Sequence, residues 1–208
     1  MTDTPDRYQR AIRGFDEANR SDPNRTIYQG VDYPDELLYA QRMTEWLECL
    51  EPAASEPLRL AVRCQHLCRW MIPRSQYPMT RAGYHQWRTT LARFHADKAA
   101  GILREVGYGE EVVTRVQSLV RKEGLKSDPE TQTLEDVACL VFLEYEFSDF
   151  AARHDEQKVI GIVAKTWRKM SDRGRAAALA LKLAPREREL IEKALAPGAG
   201  GRAGPEAR

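Results

Sequence analysis

The 208-residue sequence has no apolar run approaching the roughly 18 to 20 residues that a membrane-spanning helix needs. Its opening, MTDTPDRYQR, also lacks the apolar segment of a secretory signal, so a cytoplasmic location with no membrane partner is the expectation. Cysteine is scarce: Cys49, Cys64, Cys68 and Cys139 include no CxxC pair, which argues against both a zinc ribbon and a dithiol redox motif. Cys64 and Cys68, one helical turn apart on an apolar face, read as reduced core thiols. Bulk charge is missing too, because the formal net charge is +1, so the chain as a whole exerts no general pull on nucleic acid. No strand-length alternation bounded by hairpin turns is visible, and that excludes a predicted sheet.

What is present is charge sorted along the chain. Residues 1–58 carry −6, residues 59–104 carry +8, residues 105–156 carry −8 and residues 157–208 carry +7. The second block sets nine Lys/Arg against Asp97 alone and holds three of the four histidines and two of the four tryptophans. Such crowding asks for an anionic partner. The competing reading is that basic and acidic blocks neutralise each other in the fold.

Every periodic segment reads as helix. Tyr8, Ile12, Phe15 and Ala18 repeat at helical spacing, and the turn-rich stretch 21–24 closes that helix. Pro34 opens a second, with Leu38, Met43, Trp46, Leu47 and Leu50 as its inward stripe. A third is predicted from Pro57 to about Trp70, with Ala61, Cys64, Leu67, Cys68 and Met71 on its apolar side. Residues 73–84, holding two prolines and a glycine, form a long ordered loop. The fourth helix is predicted over about residues 84–106, with Leu91, His95, Ala99, Ile102 and Val106 in line and Gly107 as its cap. A fifth covers about residues 110–123 and stops at Gly124. The TLED stretch at 133–136 matches a capping box for a sixth, which runs into LVFLEYEF. Asp155 opens another, and shorter helices follow at about 175–181 and 185–195. The expected fold class is all-α, one multi-helix bundle over residues 1–195, with the Gly/Pro/Ala-rich residues 196–208 as a disordered tail.

Several residues on this scaffold are able to carry chemistry. His66 has Val62 and Trp70 one turn to either side and Arg59, Arg63 and Arg69 on its flank, a cationic stripe with an imidazole in it. In one reading Arg63 and Arg69 grip a phosphate or carboxylate while His66 donates a proton or binds a metal. In the other, the arginines pair with the acidic segments. His95 lies on the inward line of its helix, either as hydrogen-bonded filler or as a ligand, and Asp97, two positions on, points to another face. Asp136 shares an inward face with Leu140, Leu143 and Phe147, where a semi-buried carboxylate can hold a metal or simply close its own capping box. Glu144 is a weaker carboxylate candidate. The loop WMIPRSQYP and the following RAGYHQWR interleave Arg74, Arg81 and Arg88 with Trp70, Tyr77, Tyr84 and Trp87. That mixture either stacks a base and clamps its phosphates or anchors a buried loop.

The segments QHLCRWMIPRSQYP, GYHQWR, FHADKAA, QTLEDVACLVFLEYEF and KTWRKM, in this order, closely resemble the uncharacterised family called domain of unknown function 4202, from about Tyr8 to Leu183. More distantly, the order of His66, then His85 or His95, then Asp136 on separate helices resembles the HD superfamily of helical metal-dependent phosphohydrolases. The chain departs from that pattern in having no contiguous His-Asp pair. This second resemblance implies an HD-like helical core and a divalent metal held by His66, His95 and Asp136, lowering the pKa of a bound water for phosphoester hydrolysis.

The resulting expectation is a protein that binds a phosphorylated small molecule or nucleotide through Arg63, His66, Arg69, Trp70, Arg74 and Arg88. The alternative is a non-enzymatic RNA-binding or protein-interaction adaptor that uses the arginine-aromatic loop or the opposed charge blocks.

Overall fold

The structure is a computed structural model that describes residues 6–196. By contact the chain divides into two compact units, Met1–Leu134 and Glu135–Arg208. The residues expected to form a disordered tail lie, from 197 onward, outside the described residues.

In the first unit, Asp6 caps helix α1 (Arg7–Arg20), its Oδ1 accepting the Gln9 N–H at 2.7 Å, and the helix buries Ala11, Phe15 and Asn19. A two-stranded antiparallel hairpin follows, β1 (Arg25–Tyr28) and β2 (Val31–Pro34), with Arg25 opposite Pro34 and Tyr28 opposite Val31. The sequence pattern predicted no strand here. Four-residue strands are too short to show a period of two, and the signal that mattered was the turn. Gln29 and Gly30 both take positive φ, 50° and 78°, as a type I′ hairpin turn requires.

Helix α2 (Asp35–Leu50) starts directly after Pro34, and Ser55 caps α3 (Glu56–Arg63) by accepting the Leu58 N–H at 3.2 Å. Helix α3 stops at Arg63 and does not reach Trp70. The cause is tertiary: Asn19 on α1 accepts the Cys68 N–H at 2.9 Å through its side-chain oxygen, and Cys68 sits in the left-handed region at φ 56°. Two short 3-10 turns, Arg69–Met71 and Arg74–Gln76, then lead to Thr80, which caps α4 (Arg81–Glu105) by accepting the Gly83 N–H at 3.1 Å. Gly107 at φ 90° ends that helix, and α5 (Glu110–Val120) returns alongside it. Helices α1, α2, α3, α4 and α5 pack together around Phe15, Met43, Leu47, Leu60, Leu67, Leu103 and Leu119, all essentially inaccessible to solvent. Each such side chain contributes roughly 1.5–3 kcal/mol by leaving water. Cys64, Cys68 and Cys139 are buried and form no disulfide.

Helix α6 (Pro129–Val141) runs across the boundary between the units. It begins earlier than the TLED box suggested, because Asp128 accepts the Glu130 N–H at 3.0 Å and Pro129 supplies the preset φ of a first turn. A π-helical turn (Phe142–Glu146) joins it to α7 (Phe147–Ala152), followed by α8 (Glu156–Lys169), α9 (Asp172–Leu179) and α10 (Pro185–Leu195). Asp155 caps α8 as its position predicts, accepting the Lys158 N–H at 2.9 Å. The class is all-α. Among the described residues no helix is long and apolar enough to cross a membrane.

Candidate functional site

A cavity of about 330 Å³ lies within the first unit, where α4, the turns after α3 and the end of α5 meet. Helix α4 supplies His85, Arg88, Arg93 and His95 to its lining. The turns after α3 supply Gln65 and His66, and the end of α5 supplies Arg121, Lys122 and Glu123. Both of the latter segments leave helical geometry through a non-glycine residue at positive φ, Cys68 at 56° and Lys122 at 57°. Non-glycine backbone held there costs of order 1–3 kcal/mol and persists only where its surroundings over-determine it. Beside the cavity those surroundings include Asn19, on which Cys68 is anchored, and Gly124, which turns the chain away at φ 70°.

The electrostatics are lopsided. Four cationic side chains line the cavity, and Glu123, the one carboxylate among its lining residues, is paired with Arg121 at 2.7 Å. Arg88 and Arg93 take no hydrogen bond and no ion pair from any described residue. The two inner histidines register this field. Burial above all, then Arg69, His95, Arg88 and Lys122, hold His66 well below its ordinary pKa. Its ring stacks on Tyr39 at a centroid distance of 4.2 Å, and Glu36 Oε2 stands 3.5 Å from its Nδ1, too far for a good hydrogen bond. His95 is 3% exposed, and burial lowers its pKa to about 4 against an opposing backbone hydrogen bond, with Arg69 and Arg88 adding to the fall. Its Nδ1 lies 2.8 Å from the Leu67 carbonyl. A carbonyl only accepts, so Nδ1 carries the proton and Nε2 bears a lone pair.

This burial predicts how stability responds to acid. The unfolded chain takes up a proton at the ordinary value of 6.5, and the folded His95 only at about 4. Stability from this group is therefore complete above the higher value and is lost as pH falls through the window between the two. Between about pH 7 and pH 5 the loss is expected to be roughly 2 kcal/mol, with His66 adding in the same direction. Urea denaturation at the two pH values checks it. Equal midpoints, or a His95→Gln variant as acid-sensitive as the parent, would contradict the burial described.

The residues anticipated from the sequence divide in two. His66, His95 and Arg88 come together on the cavity, and the His66 and His95 ring centroids are 5.8 Å apart. Arg63, Arg69, Trp70 and Arg74 do not line it. Arg63 is turned into the interior, where its Nε and Nη2 donate to the two Asp16 oxygens at 2.7 Å each. Arg69 lies over the Trp87 ring at 5.2 Å, and Trp70 sits in the 3-10 turn that takes the place of the expected helix end. Arg74 donates to the Tyr77 and Pro78 carbonyls at 2.9 and 2.8 Å and so braces its own loop. The loop's rings are used internally as well: Trp87 is buried and its indole N–H donates to the Ile72 carbonyl at 2.8 Å.

Asp136 is buried in the second unit. It accepts the Ser171 N–H at 2.8 Å and the Ser171 hydroxyl, which itself caps α9 by accepting the Gly174 N–H at 3.1 Å. A Cβ at Gly174 would come within 2.6 Å of the Asp136 carboxyl carbon, so the carboxylate and the start of α9 are fitted to each other. Asp136 thus holds the capping residue of a different helix from the one the TLED pattern suggested. Among the described residues no group of three or more His, Cys, Asp or Glu is placed to hold a metal ion.

Arg93, Arg121 and Lys122 were not singled out by the sequence. Arg121 and Lys122 lie in the block of net −8, and their only local signal is basic residues at a helix end just before Gly124.

Fold and cavity together define a helical protein with a small, basic, histidine-floored pocket. The model of the family described as Domain of unknown function (DUF4202) matches residues 9–191, and the chain belongs to that family. No curated protein and no solved structure matches it.

Proposed function

We propose that this chain binds a small phosphorylated molecule, such as a sugar phosphate or nucleotide, in the cavity lined by Arg88, Arg93, Arg121 and Lys122. The observation that carries the reading is the pair Arg88 and Arg93, two guanidiniums on one cavity with no carboxylate partner among the described residues. Guanidinium groups match phosphate oxygens in geometry as well as charge, and two guanidiniums on one pocket without a carboxylate partner repel each other until an anion joins them. The lowered pKa of His66, caused in part by Arg88 and Lys122, supports a positive potential inside. A volume of about 330 Å³ falls at the small end of the range for small-molecule sites, which favours a metabolite-sized ligand over an oligonucleotide. The proposal is one of binding, and the one carboxylate among the lining residues, Glu123, is held by Arg121. A cytoplasmic setting is part of the same reading, since buried free thiols suit a reducing compartment.

Calorimetric titration with inorganic phosphate and with adenosine monophosphate tests it. Binding is expected, weakening at high salt, and Arg88→Ala and Arg93→Ala are each expected to weaken it about tenfold, or roughly 1.4 kcal/mol. Unchanged affinity in both variants would overturn the assignment. Tighter, steeply salt-dependent binding of a single-stranded RNA would favour the adaptor reading instead.

A further inference from the structure

Beyond its cations, the cavity is lined by residues with buried side-chain atoms that have no hydrogen-bond partner: His66 Nδ1, His95 Nε2 and Gln65 Oε1, the last two on residues 3% and 5% exposed. Of these, His95 Nε2 and Gln65 Oε1 are acceptors. For His95 this follows from Nδ1, whose proton is engaged by the Leu67 carbonyl, and for Gln65 the unpartnered atom is the amide oxygen. A buried acceptor left unmatched costs about 1–3 kcal/mol, so a native protein keeps one where a donor arrives from outside.

Resting on the binding reading above, we infer that the cavity selects phosphates that carry an O–H donor, with the cations holding the anionic oxygens and His95 Nε2 accepting the ligand's hydrogen bond. The donor is either the proton of a phosphate P–OH or a hydroxyl next to the phosphate. Anions of equal shape and charge but without such a hydrogen leave the acceptors buried and unmatched. They are rejected for the same reason that a site built for a hydroxyl rejects its deoxy analogue.

Two matched pairs of ligands test this in the full chain near neutral pH. Inorganic phosphate keeps a P–OH there and sulfate does not; glycerol phosphate has hydroxyls beside its phosphate and n-propyl phosphate, of the same carbon length, does not. The donor-bearing member of at least one pair is expected to bind about 10- to 100-fold more tightly. Discrimination in the first pair puts the donor on phosphorus, and in the second on carbon. In His95→Leu the ratio is expected to collapse toward one.

Because that variant also loses the bond to Leu67, nitrogen NMR of histidine in the unaltered chain provides an independent reading. It is expected to find the Nδ1-protonated tautomer, with the bare Nε2 resonance moving on addition of the preferred ligand. Binding without discrimination in either pair, or an Nε2-protonated His95, would overturn the inference while leaving the anion site standing. Failure of all four ligands to bind would overturn both.

Discussion

Gly83→Ala is expected to destabilise the first unit by about 3 kcal/mol, although alanine is the better helix former by about 1 kcal/mol. A Cβ at position 83 would stand 2.1 Å from the Pro78 carbonyl oxygen and 2.9 Å from its carbon, both backbone atoms with no rotamer to move away into. That carbonyl also accepts a hydrogen bond from Arg74 at 2.8 Å, and the Gly83 N–H donates to the Thr80 cap. Displacing Pro78 therefore disturbs the loop brace and the start of α4 together. The helix that would shift carries His85, Arg88, Arg93 and His95, so phosphate affinity should fall with stability. Gly101, in the same helix, is the control: nothing lies within 4 Å of its added Cβ, and Gly101→Ala is expected to be neutral or stabilising by up to about 1 kcal/mol. Chemical denaturation of the two variants decides the matter, and a Gly83→Ala protein as stable as the parent would refute the close approach of Pro78.

Arg63→Ala should also cost about 3 kcal/mol, while leaving phosphate affinity in the surviving folded protein within roughly twofold. The guanidinium meets Asp16 through two parallel hydrogen bonds of 2.7 Å and reaches Thr44 Oγ1 at 3.2 Å, on side chains only 11% and 20% exposed for Arg63 and Asp16. Truncating one partner strands a carboxylate in a largely dry setting. That stranding, more than the attraction lost, sets the magnitude, so replacing both residues by apolar side chains of similar volume should recover much of the loss. The contrast with Arg88→Ala is the informative part: one arginine changes stability and the other changes binding. An Arg63→Ala protein of unaltered stability but weakened phosphate binding would return Arg63 to the anion site.

Periodicity located much of this architecture. Leu91, His95 and Ala99 are buried along one line of α4 as their spacing requires, Asp155 and Gly107 bound their helices, and α10 spans Pro185–Leu195 as predicted. What failed was local pattern opposed by a distant contact. Residues 64–70 continue the apolar stripe of α3, but Asn19, far away in sequence, captures the Cys68 N–H and ends the helix. That break turns Arg69 onto Trp87 and leaves His66 on the cavity. The basic stripe read around His66 is consequently not a single surface: Arg63 faces Asp16, and Arg59 donates to the Ala54 and Pro52 carbonyls.

By itself the sequence determined the helical class, many of the inward positions (though not Met71, which is exposed) and the family, because each depends on residues within a few turns of one another or on the order of motifs along the chain. It also marked the block holding His66, Arg88 and His95 as a candidate anion site. Which cations share that place was decided only in three dimensions. Lys122 and Arg121 come from a block that is acidic overall, brought beside α4 when α5 folds back on it. Net charge along a chain averages over both faces of every helix, whereas a pocket gathers one face from each, and only packing chooses which faces meet.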